Sequence, residues 1–425
     1  MISIRRYLGN YIRQIQIKEC SSKDTETLFF FSSKDELENF QFKKLKVLLE
    51  HFGKLNIDGD FSSTITVSTL EDLSKLPIST KQNLTNKFEI YNKMFLNEAI
   101  IDSTSGSSGI NFKFQFCKNR KLKSALAHQQ LFSLLGLDYF STKKLTLWGG
   151  VGKKNWKSFL TEFITNNNVI QFNSTSNNEI LNIKKKLLNV NYRYISAYPS
   201  ILSSFLSKVG KIERPDIMIA LSGETIQSHQ KDIIANELST KIYNRYGSRE
   251  FGLIGHELPH DDVEGYVVPV DRFIIEETLE GRLLITDLDN YVFPFIRYDI
   301  GDLGSVKHMS SSLGNYISIF ELNGRTSDIV KTKNGIEINP QFWTLVSRKF
   351  SGIAEFQVQI LDDLICFNAI VDPNTHVDKL KESIEQFVND QYGDSLNFIF
   401  KVVTELKITK AGKRKIVVDL SGDIS

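Results

Sequence analysis

The sequence predicts an α/β protein in two parts: a large N-terminal region built on several sheets and a small C-terminal α+β domain. The chain has 425 residues, more than one hydrophobic core usually serves, so at least two domains are expected. In the middle of the chain, apolar strands alternate with helical stretches, a pattern typical of parallel sheet. After about residue 265 the pattern changes to pairs of strands separated by short turns.

The first hundred residues are predicted to be mostly helical. One helix face is defined by apolar residues at short, regular spacing: Leu37, Phe40, Leu45, Leu48, Leu49 and Phe52. Further helices are predicted over 120–137, 177–189, 199–209 and 227–239. The strands predicted between them cover 145–148, 194–197 and 217–221.

Two turns mark the hairpins of the later part. Glu280-Gly281 separates two apolar strands, and Asn334-Gly335 is the dipeptide most typical of a tight hairpin turn. The last hundred residues pair strands with one amphipathic helix, whose apolar face carries Val377, Leu380, Ile384, Phe387 and Val388. The predicted strands there cover 354–361, 365–371 and 398–405. We place the boundary near Gly324, which divides the chain into an N-terminal domain, 1–322, and a C-terminal domain, 323–425.

Composition narrows the possible functions. A hydrophobic fraction of 41% and a charged fraction of 24% are typical of a soluble globular protein, and a net charge of +2 gives no general attraction to nucleic acid. No apolar run approaches the roughly 18 residues of a membrane helix, and no signal peptide pattern is present, so we expect a cytoplasmic protein without membrane insertion. The three cysteines are far apart, which argues against disulfides and a thiolate zinc site. Nothing in the sequence indicates an oligomeric state.

The most distinctive local stretch runs from Asp102 to Gly109. Its glycines, Gly106 and Gly109, allow tight turns, and hydroxyls and backbone N–H groups there can converge on phosphate oxygens. The hydroxyl residues are Thr104, Ser105, Ser107 and Ser108, preceded by Ser103. No Gly-Lys-Ser/Thr follows, so this is not a Walker A loop. Taken alone, the stretch is equally compatible with a plain turn or linker.

Further stretches follow in a fixed order: Leu221-Ser222-Gly223-Glu224, Tyr246-Gly247-Ser248-Arg249-Glu250, Arg297-Tyr298-Asp299-Ile300-Gly301-Asp302, Gly324-Arg325-Thr326-Ser327-Asp328 and Thr409-Lys410-Ala411-Gly412-Lys413. Together they resemble the adenylate-forming superfamily of acyl- and aryl-CoA synthetases. Within it the chain looks most similar to the phenylacetate–coenzyme A ligase family, including members encoded with capsular-polysaccharide genes. Leu76-Pro77-Ile78-Ser79-Thr80-Lys81 and Tyr198-Pro199-Ser200 resemble further segments of that branch.

The resemblance implies a role for each stretch. Thr104–Gly109 would hold the β- and γ-phosphates of ATP. Ser222-Gly223-Glu224 and Tyr246-Gly247 would sandwich the adenine, and the tyrosine ring would offer a stacking face. The neighbouring Ser248 and Arg249 would also belong to the nucleotide-binding residues. Glu250 would bind Mg²⁺, which favours carboxylate and phosphate oxygens.

The remaining roles concern the sugar and the reaction. Asp302 would accept hydrogen bonds from the ribose hydroxyls, and Arg325 would donate to the same sugar. Lys413, on a mobile C-terminal lid that turns about Ser327, would stabilise the charge that develops during adenylation. Lys410 and Lys415 compete with Lys413 for that role.

Three departures from the family pattern stand out. Gly109 is followed by Ile110-Asn111 where relatives usually have a lysine or proline, although Lys113 is near in sequence. Arg249 stands where Thr or Ser is common, and it would either bind phosphate or form an ion pair within the site. Ser327 takes the hinge position that relatives fill with Asp or Lys.

Each of these residues, taken alone, also has an explanation that involves no nucleotide or metal. Glu250 alone would be a surface carboxylate, Asp302 a turn residue, Arg325 a turn cap and Lys413 part of a solvated tail. His256 and His260 are spaced as a helical zinc pair would be, but Pro259 disfavours a helix and favours a polar loop.

Three functions fit these observations. The first is a ligase that converts a small carboxylic acid to its acyl-adenylate with ATP and Mg²⁺ and then acylates coenzyme A. The second transfers the acyl group to an amine, such as an amino sugar or amino acid used in surface-polysaccharide synthesis. The third is a nucleotide-binding protein without ligase activity, against which the intact Glu250, Asp302, Arg325 and Lys413 argue.

Overall fold

The structure is a computed structural model. It describes residues 4, 7, 8, 11, 28–55, 67–104, 112–148, 156–171, 177–322, 324–332, 334–338, 340–393, 396–408 and 414–420. Its α-helices are α1 (Lys34–Leu55), α2 (Lys81–Met94), α3 (Lys118–Leu134), α4 (Trp156–Ile164), α5 (Asn177–Leu188), α6 (Pro199–Val209), α7 (Ser228–Leu238), α8 (Pro340–Lys349) and α9 (Val377–Tyr392). Within the described residues, no helix has both the length and the apolar composition that crossing a membrane requires.

The strands of the first three quarters of the chain are β1 (Ala99–Thr104), β2 (Phe112–Cys117), β3 (Lys143–Trp148), β4 (Asn167–Gln171), β5 (Tyr192–Ala197), β6 (Met218–Leu221), β7 (Ile242–Ser248), β8 (Gly252–His256), β9 (Tyr266–Val267), β10 (Phe273–Glu277), β11 (Arg282–Asp287), β12 (Tyr298–Leu303), β13 (Ser305–Ser311) and β14 (Gly314–Phe320). Those of the last quarter are β15 (Val330–Lys331), β16 (Glu337–Ile338), β17 (Ile353–Leu361), β18 (Leu364–Val371), β19 (Phe398–Val402) and β20 (Val417–Asp419).

The chain divides into two compact units. Unit 1 comprises 1–142, 163–166 and 243–322, and unit 2 comprises 143–162, 167–242 and 323–425. One boundary between the units therefore falls at residue 322, and the C-terminal region shares its unit with the segment that contains β3 to β6. The division into domains 1–322 and 323–425, with a mobile second domain, stays a prediction.

Unit 1 is built from antiparallel sheet. Strands β7, β8, β9, β14 and β13 neighbour one another in that order, β10, β11 and β12 form a second sheet, and β1 and β2 form a hairpin. Helix α1 buries one apolar face through Leu37, Leu45, Leu48 and Phe52, as its sequence period predicts. The core between these elements is rich in phenylalanine, including Phe112, Phe114, Phe251, Phe293 and Phe295.

Unit 2 contains the parallel sheet that the alternating pattern predicts. Strands β6, β5, β3 and β4 neighbour one another in that order, and each pair is parallel. Strand β5 is buried along nearly its whole length, as expected for a strand covered on both faces. Helices α5, α6 and α7 pack their apolar residues into the same core as this sheet.

The C-terminal region of unit 2 is an α+β lobe, as predicted. Its sheet has the order β19, β18, β17, β20, with β17 and β18 antiparallel and the outer strands parallel to their neighbours. Strands β15 and β16 form the hairpin predicted at Asn334-Gly335. Strand β19 ends at Val402, three residues before the predicted end. The lobe's core is centred on Trp343, which is 0% exposed.

Trp343 gives a test of this packing. Its ring stacks on Phe398 at 5.9 Å between ring centroids and contacts Phe342 at 5.1 Å. Trp343→Ala is expected to lower the free energy of unfolding by about 3–5 kcal/mol, because it removes a large buried ring and leaves a cavity. Chemical unfolding followed by far-UV circular dichroism measures this. The control is Leu345→Ala, since Leu345 lies on the same helix and is half exposed. Equal losses in the two variants would contradict the packing described.

Candidate active site

The Tyr246–Glu250 stretch forms the end of β7 and the turn into β8. These strands are antiparallel, and their register shifts between Tyr246 and Gly247. At Gly247 the two strands approach so closely that a Cβ would lie 2.3 Å from the carbonyl oxygen of Gly252. Only glycine fits there, so this glycine sets the geometry of the turn that carries Arg249 and Glu250.

A buried arginine holds the backbone of this turn. Arg120, on α3, is 5% exposed and donates from Nη2 to the carbonyl oxygen of Glu250. Its Nε also donates to the Asp287 carboxylate at 2.9 Å, so the guanidinium is paired within the core. The Glu250 backbone is thereby fixed. Its half-buried carboxylate has no hydrogen-bond or ion-pair partner among the described residues. Sequence reasoning did not single out Arg120, because no local motif marks it.

Arg249 connects the same turn to the strand that precedes the Ser/Gly loop. Its Nη2 lies 3.2 Å from Oδ1 of Asp102, on β1. Strand β1 ends at Thr104 and pairs with β2, which begins at Phe112. Ser105, Gly106, Ser107, Ser108 and Gly109 lie outside the described residues. The structure therefore shows Arg249 in an ion pair that links the Tyr246–Glu250 turn to β1.

The buried pair Tyr246 and Asp302 joins two of the predicted motifs. The Tyr246 hydroxyl donates to Oδ2 of Asp302 at 2.7 Å, and the two residues are 9% and 8% exposed. They lie 56 residues apart in sequence, on β7 and β12. The ring of Tyr246 also contacts Tyr266 edge-on, with 6.3 Å between ring centroids. The tyrosine predicted to stack on adenine and the aspartate predicted to bind ribose are thus neighbours within unit 1.

The stretch that leads to Asp302 is anchored to the Leu76–Lys81 segment. Arg297 adopts a positive φ of 47° and donates from Nη1 to the carbonyl oxygens of Ser74 and Leu76. The Asp299 backbone N–H donates to the Ser79 carbonyl at 2.9 Å. The Leu76–Lys81 and Arg297–Asp302 segments, which are far apart in sequence, are therefore hydrogen-bonded to each other.

In unit 2, the Ser222-Gly223-Glu224 stretch follows β6 and packs on the Tyr198-Pro199-Ser200 segment. Gly223 has a φ of +84°, and a Cβ there would lie 2.6 Å from the Tyr198 ring. Tyr198 also meets Trp148, at the end of β3, with 4.7 Å between ring centroids. Burial, followed by the nearby Glu224 charge, raises the pKa of Tyr198 to about 12, so its hydroxyl keeps its proton at neutral pH.

The Glu224 carboxylate is occupied by protein donors. It accepts from the backbone N–H of Ser200 at 3.1 Å and from the Ser200 hydroxyl at 2.9 Å. A third bond comes from the backbone N–H of Arg414 at 2.7 Å. Burial raises the pKa of Glu224, and these donors oppose that shift by favouring the charged form.

The predicted lysine loop is described only at its base. Lys410 and Lys413 lie outside the described residues, while Ile408 and Arg414 pair as an antiparallel bridge. Lys415 follows that bridge, and its carbonyl oxygen accepts from Gln357 at 3.1 Å. Arg325 is exposed and precedes the short helical turn Thr326–Asp328, whose Asp328 N–H donates to the Arg325 carbonyl. The Ser327 side chain is not described.

The structure differs at His256 from the polar loop expected around His256 and His260. His256 is the last residue of β8, fully buried, so it lies neither in a helix nor in a polar loop. Burial lowers its pKa to about 4, which keeps the ring neutral. His260 contacts the Leu134 carbonyl instead. Among the described residues no cluster of His, Cys, Asp and Glu could hold a metal.

The predicted residues thus fall into two groups. Unit 1 contains Thr104, Tyr246, Gly247, Ser248, Arg249, Glu250 and Asp302. Tyr246 bonds to Asp302, and Arg249 pairs with Asp102 on the strand that ends at Thr104. Unit 2 contains Ser222, Gly223, Glu224, Arg325 and the base of the Lys413 loop.

Comparisons with known proteins agree with this fold. The structure resembles a 2-hydroxyisobutyryl-CoA ligase in the postadenylation state in complex with R3-HIB-AMP, with a TM-score of 0.70, 15% identity, and coverage of 94% of this chain and 93% of the ligase. It also resembles the amide bond synthetase McbA from Marinactinospora thermotolerans, with a TM-score of 0.50, 12% identity, and coverage of 73% and 67%. The chain therefore has the fold of the adenylate-forming ligases, as its motif order predicts.

In sequence, the chain is similar to Protein CapK of Staphylococcus aureus. The two are 23% identical over 441 residues, which cover 98% of this chain and 93% of CapK. No family model matches the sequence.

Tyr246→Phe tests the buried pair. The change removes one hydroxyl and leaves an oxygen of the Asp302 carboxylate without that donor. We expect the free energy of unfolding to fall by about 1–3 kcal/mol, the usual contribution of a hydrogen bond to a charged group. Tyr243→Phe, on the same strand, is the control, and denaturant unfolding is the measurement. If the two variants lose the same stability, the Tyr246–Asp302 bond contributes nothing.

Proposed function

We propose that this protein is an ATP-dependent ligase that adenylates a small carboxylic acid and then transfers the acyl group to a nucleophile. The buried bond between Tyr246 and Asp302 is the observation that carries the proposal, because it unites the predicted adenine-binding and ribose-binding residues. The fold supports the same conclusion, since solved CoA ligases and an amide bond synthetase share it.

The resemblance to adenylate-forming enzymes supplies the proposed roles in nucleotide binding. Tyr246 and Gly247 would face the adenine, and Asp302 would accept from the ribose hydroxyls. Thr104 and the loop to Gly109 would supply hydroxyl and N–H donors to the β- and γ-phosphates. The resemblance likewise assigns Ser222 and Gly223 to adenine binding and Arg325 to ribose binding.

Glu250 fits the role of magnesium ligand. Its backbone is fixed by Arg120, while its carboxylate has no partner among the described residues. Mg²⁺ usually takes one or two protein carboxylates and completes its shell with phosphate oxygens and water. The bound ion would neutralise charge on the phosphates.

The reaction would proceed in two half-reactions. First, an oxygen of the substrate carboxylate attacks the α-phosphorus of ATP, and the bond to pyrophosphate breaks. Lys413 would stabilise the negative charge that gathers on the reacting oxygens, which is a large catalytic effect when the cation is held in place. Second, the nucleophile attacks the acyl carbon, and AMP leaves with the bonding electron pair.

Acid-dependent ATP–pyrophosphate exchange tests the first half-reaction. A panel of aryl, fatty and amino acids is expected to contain an acid that supports Mg²⁺-dependent exchange. Glu250→Gln should lower this exchange at least about tenfold at limiting Mg²⁺, because a site with so few carboxylates has little redundancy. Glu89→Gln, an exposed acid of unit 1, is the control.

Two outcomes would count against this proposal. If ATP binds but no acid supports exchange, the protein is a nucleotide-binding protein without ligase activity. If exchange is present and Glu250→Gln behaves as the control does, Glu250 is not the metal ligand.

The acceptor is proposed to be the thiol of coenzyme A. The similarity to phenylacetate–coenzyme A ligases supports this choice, and the CoA ligase neighbour shares the fold over nearly the whole chain. The likeness to an amide bond synthetase supports an amine, such as an amino sugar or amino acid, as the second candidate. Both acceptors are compatible with the same acyl-adenylate.

Mass spectrometry of the products distinguishes the acceptors once the acid is known. With CoA present, we expect AMP release together with an acyl-CoA of the activated acid. Acyl-AMP that accumulates in the presence of CoA, yet disappears when an amino sugar or amino acid is added, would contradict the thiol and establish the amine. Omission of the acid is the control for both reactions.

A further inference from the structure

The loop between β6 and α7 contacts the C-terminal lobe at two points. This loop, residues 222–227, contains the predicted adenine-binding residues Ser222, Gly223 and Glu224. All of its contacts with the lobe lie within unit 2. The loop therefore carries predicted adenine-binding residues and also contacts the C-terminal lobe.

The first contact is made by Glu224. Its Oε1 accepts from the Arg414 backbone N–H at 2.7 Å, across 190 residues of sequence. Arg414 directly follows Lys413, and adjacent Cα atoms are about 3.8 Å apart. A hydrogen bond to the Arg414 peptide therefore restrains the residue beside the proposed catalytic lysine.

The second contact is made by Gln227. Its Nε2 donates to the Phe356 carbonyl at 3.2 Å, and its Oε1 accepts from the Phe356 N–H, also at 3.2 Å. One side chain thus satisfies both backbone groups of a residue on β17. Because the bond pair is reciprocal, it defines the position of β17 relative to the start of α7.

The base of the lysine loop is held to the same strand. Gln357, fully buried, donates to the carbonyl oxygens of Lys407 at 2.9 Å and Lys415 at 3.1 Å. Its Oε1 accepts from the Lys407 N–H at 3.2 Å. The Arg414 side chain also pairs with Glu355. The loop base is therefore rigidly attached to β17, and β17 is attached to Gln227.

We propose that Glu224 and Gln227 form a latch that positions the Lys413 loop for adenylation. This rests on the proposed function and deepens it by assigning Glu224 to the lysine loop rather than to the adenine. The assignment follows from the Glu224 carboxylate, both oxygens of which accept from protein donors. A fixed cation stabilises developing charge only if its supporting shell is itself restrained. Release of the latch would free the lobe for the transfer step.

The test compares Glu224→Ala with Asp232→Ala, an exposed acid on α7. The first readout is amide hydrogen exchange of the peptide containing Arg414. In Glu224→Ala, we expect the exchange of the Arg414 amide to be at least about tenfold faster than in the wild type. A tenfold change is the scale expected when one hydrogen bond to a charged group is lost. The control should match the wild type. This readout needs no substrate and so tests the latch even if no acid supports catalysis.

The second readout separates positioning from nucleotide contact. At saturating ATP, Glu224→Ala should slow acid-dependent pyrophosphate exchange at least about tenfold, in the same direction as Lys413→Ala. ATP affinity should stay within about twofold, and acyl transfer from a supplied acyl-adenylate should stay unchanged. Gln227→Ala, which leaves Glu224 in place, should show the same pattern with a smaller loss of exchange rate. It replaces Glu224→Ala in the test if that variant does not fold.

Several results would overturn the latch. Unchanged amide protection at Arg414 would show that the contact does not restrain the loop. If Glu224→Ala weakens ATP binding but leaves the rate of pyrophosphate exchange at saturating ATP unchanged, Glu224 acts in adenine binding instead. Equal losses in adenylation and transfer would indicate a structural role only. Failure of the wild-type protein to support any exchange, with Arg414 protection lost in Glu224→Ala, would count against the proposed ligase activity instead.

Discussion

The Arg120 guanidinium is the interaction on which the unit 1 site depends. A buried cation is tolerated only when it is paired, because the free-energy cost of desolvating a lone charge exceeds the free energy gained by packing. Arg120 meets this requirement with the Asp287 carboxylate and the Glu250 carbonyl, which come from two different parts of the chain. The demand for pairing therefore fixes the turn that carries Glu250. Other ion pairs lie in the same core: Lys44 with Asp289, Lys123 with Asp271, and Arg272 with Asp289.

Close backbone approach acts together with this charge pairing. Gly247 brings β7 against β8, and the register shift beside it turns successive side chains to different surroundings. Tyr246 is buried against Asp302, whereas Arg249 is exposed and reaches Asp102 on the neighbouring hairpin. One short motif thus places a buried tyrosine against Asp302 and an exposed arginine against Asp102, because its backbone bends at one residue that has no side chain.

Local pattern predicted most of the fold. The parallel strands, the Asn334-Gly335 hairpin and the apolar faces of α1 and α9 follow from periodicity and turn chemistry, which are properties of adjacent residues. Arg120, Gln227 and Gln357 were not predicted, because their partners lie 50 to 167 residues away and no spacing rule marks them. The His256–His260 spacing indicated a possible helical pair, but residues 252–256 are in a strand. Burial lowers the pKa of His256 to about 4, and the spacing of the two histidines could not reveal that burial. The roles of all the predicted site residues stay predictions.

Glu224 shows how a contact with the C-terminal lobe is added to a loop that is already fixed. Its carboxylate is half buried, so leaving its oxygens without donors would cost more than a surface ion pair contributes. Ser200 supplies two of the three donors from the start of α6, where helix N–H groups lack partners of their own. Because Arg414 supplies only the third donor, the shape of the loop depends mainly on its own segment. The contact with the lobe therefore rests on three hydrogen bonds, one from Arg414 to Glu224 and two between Gln227 and Phe356.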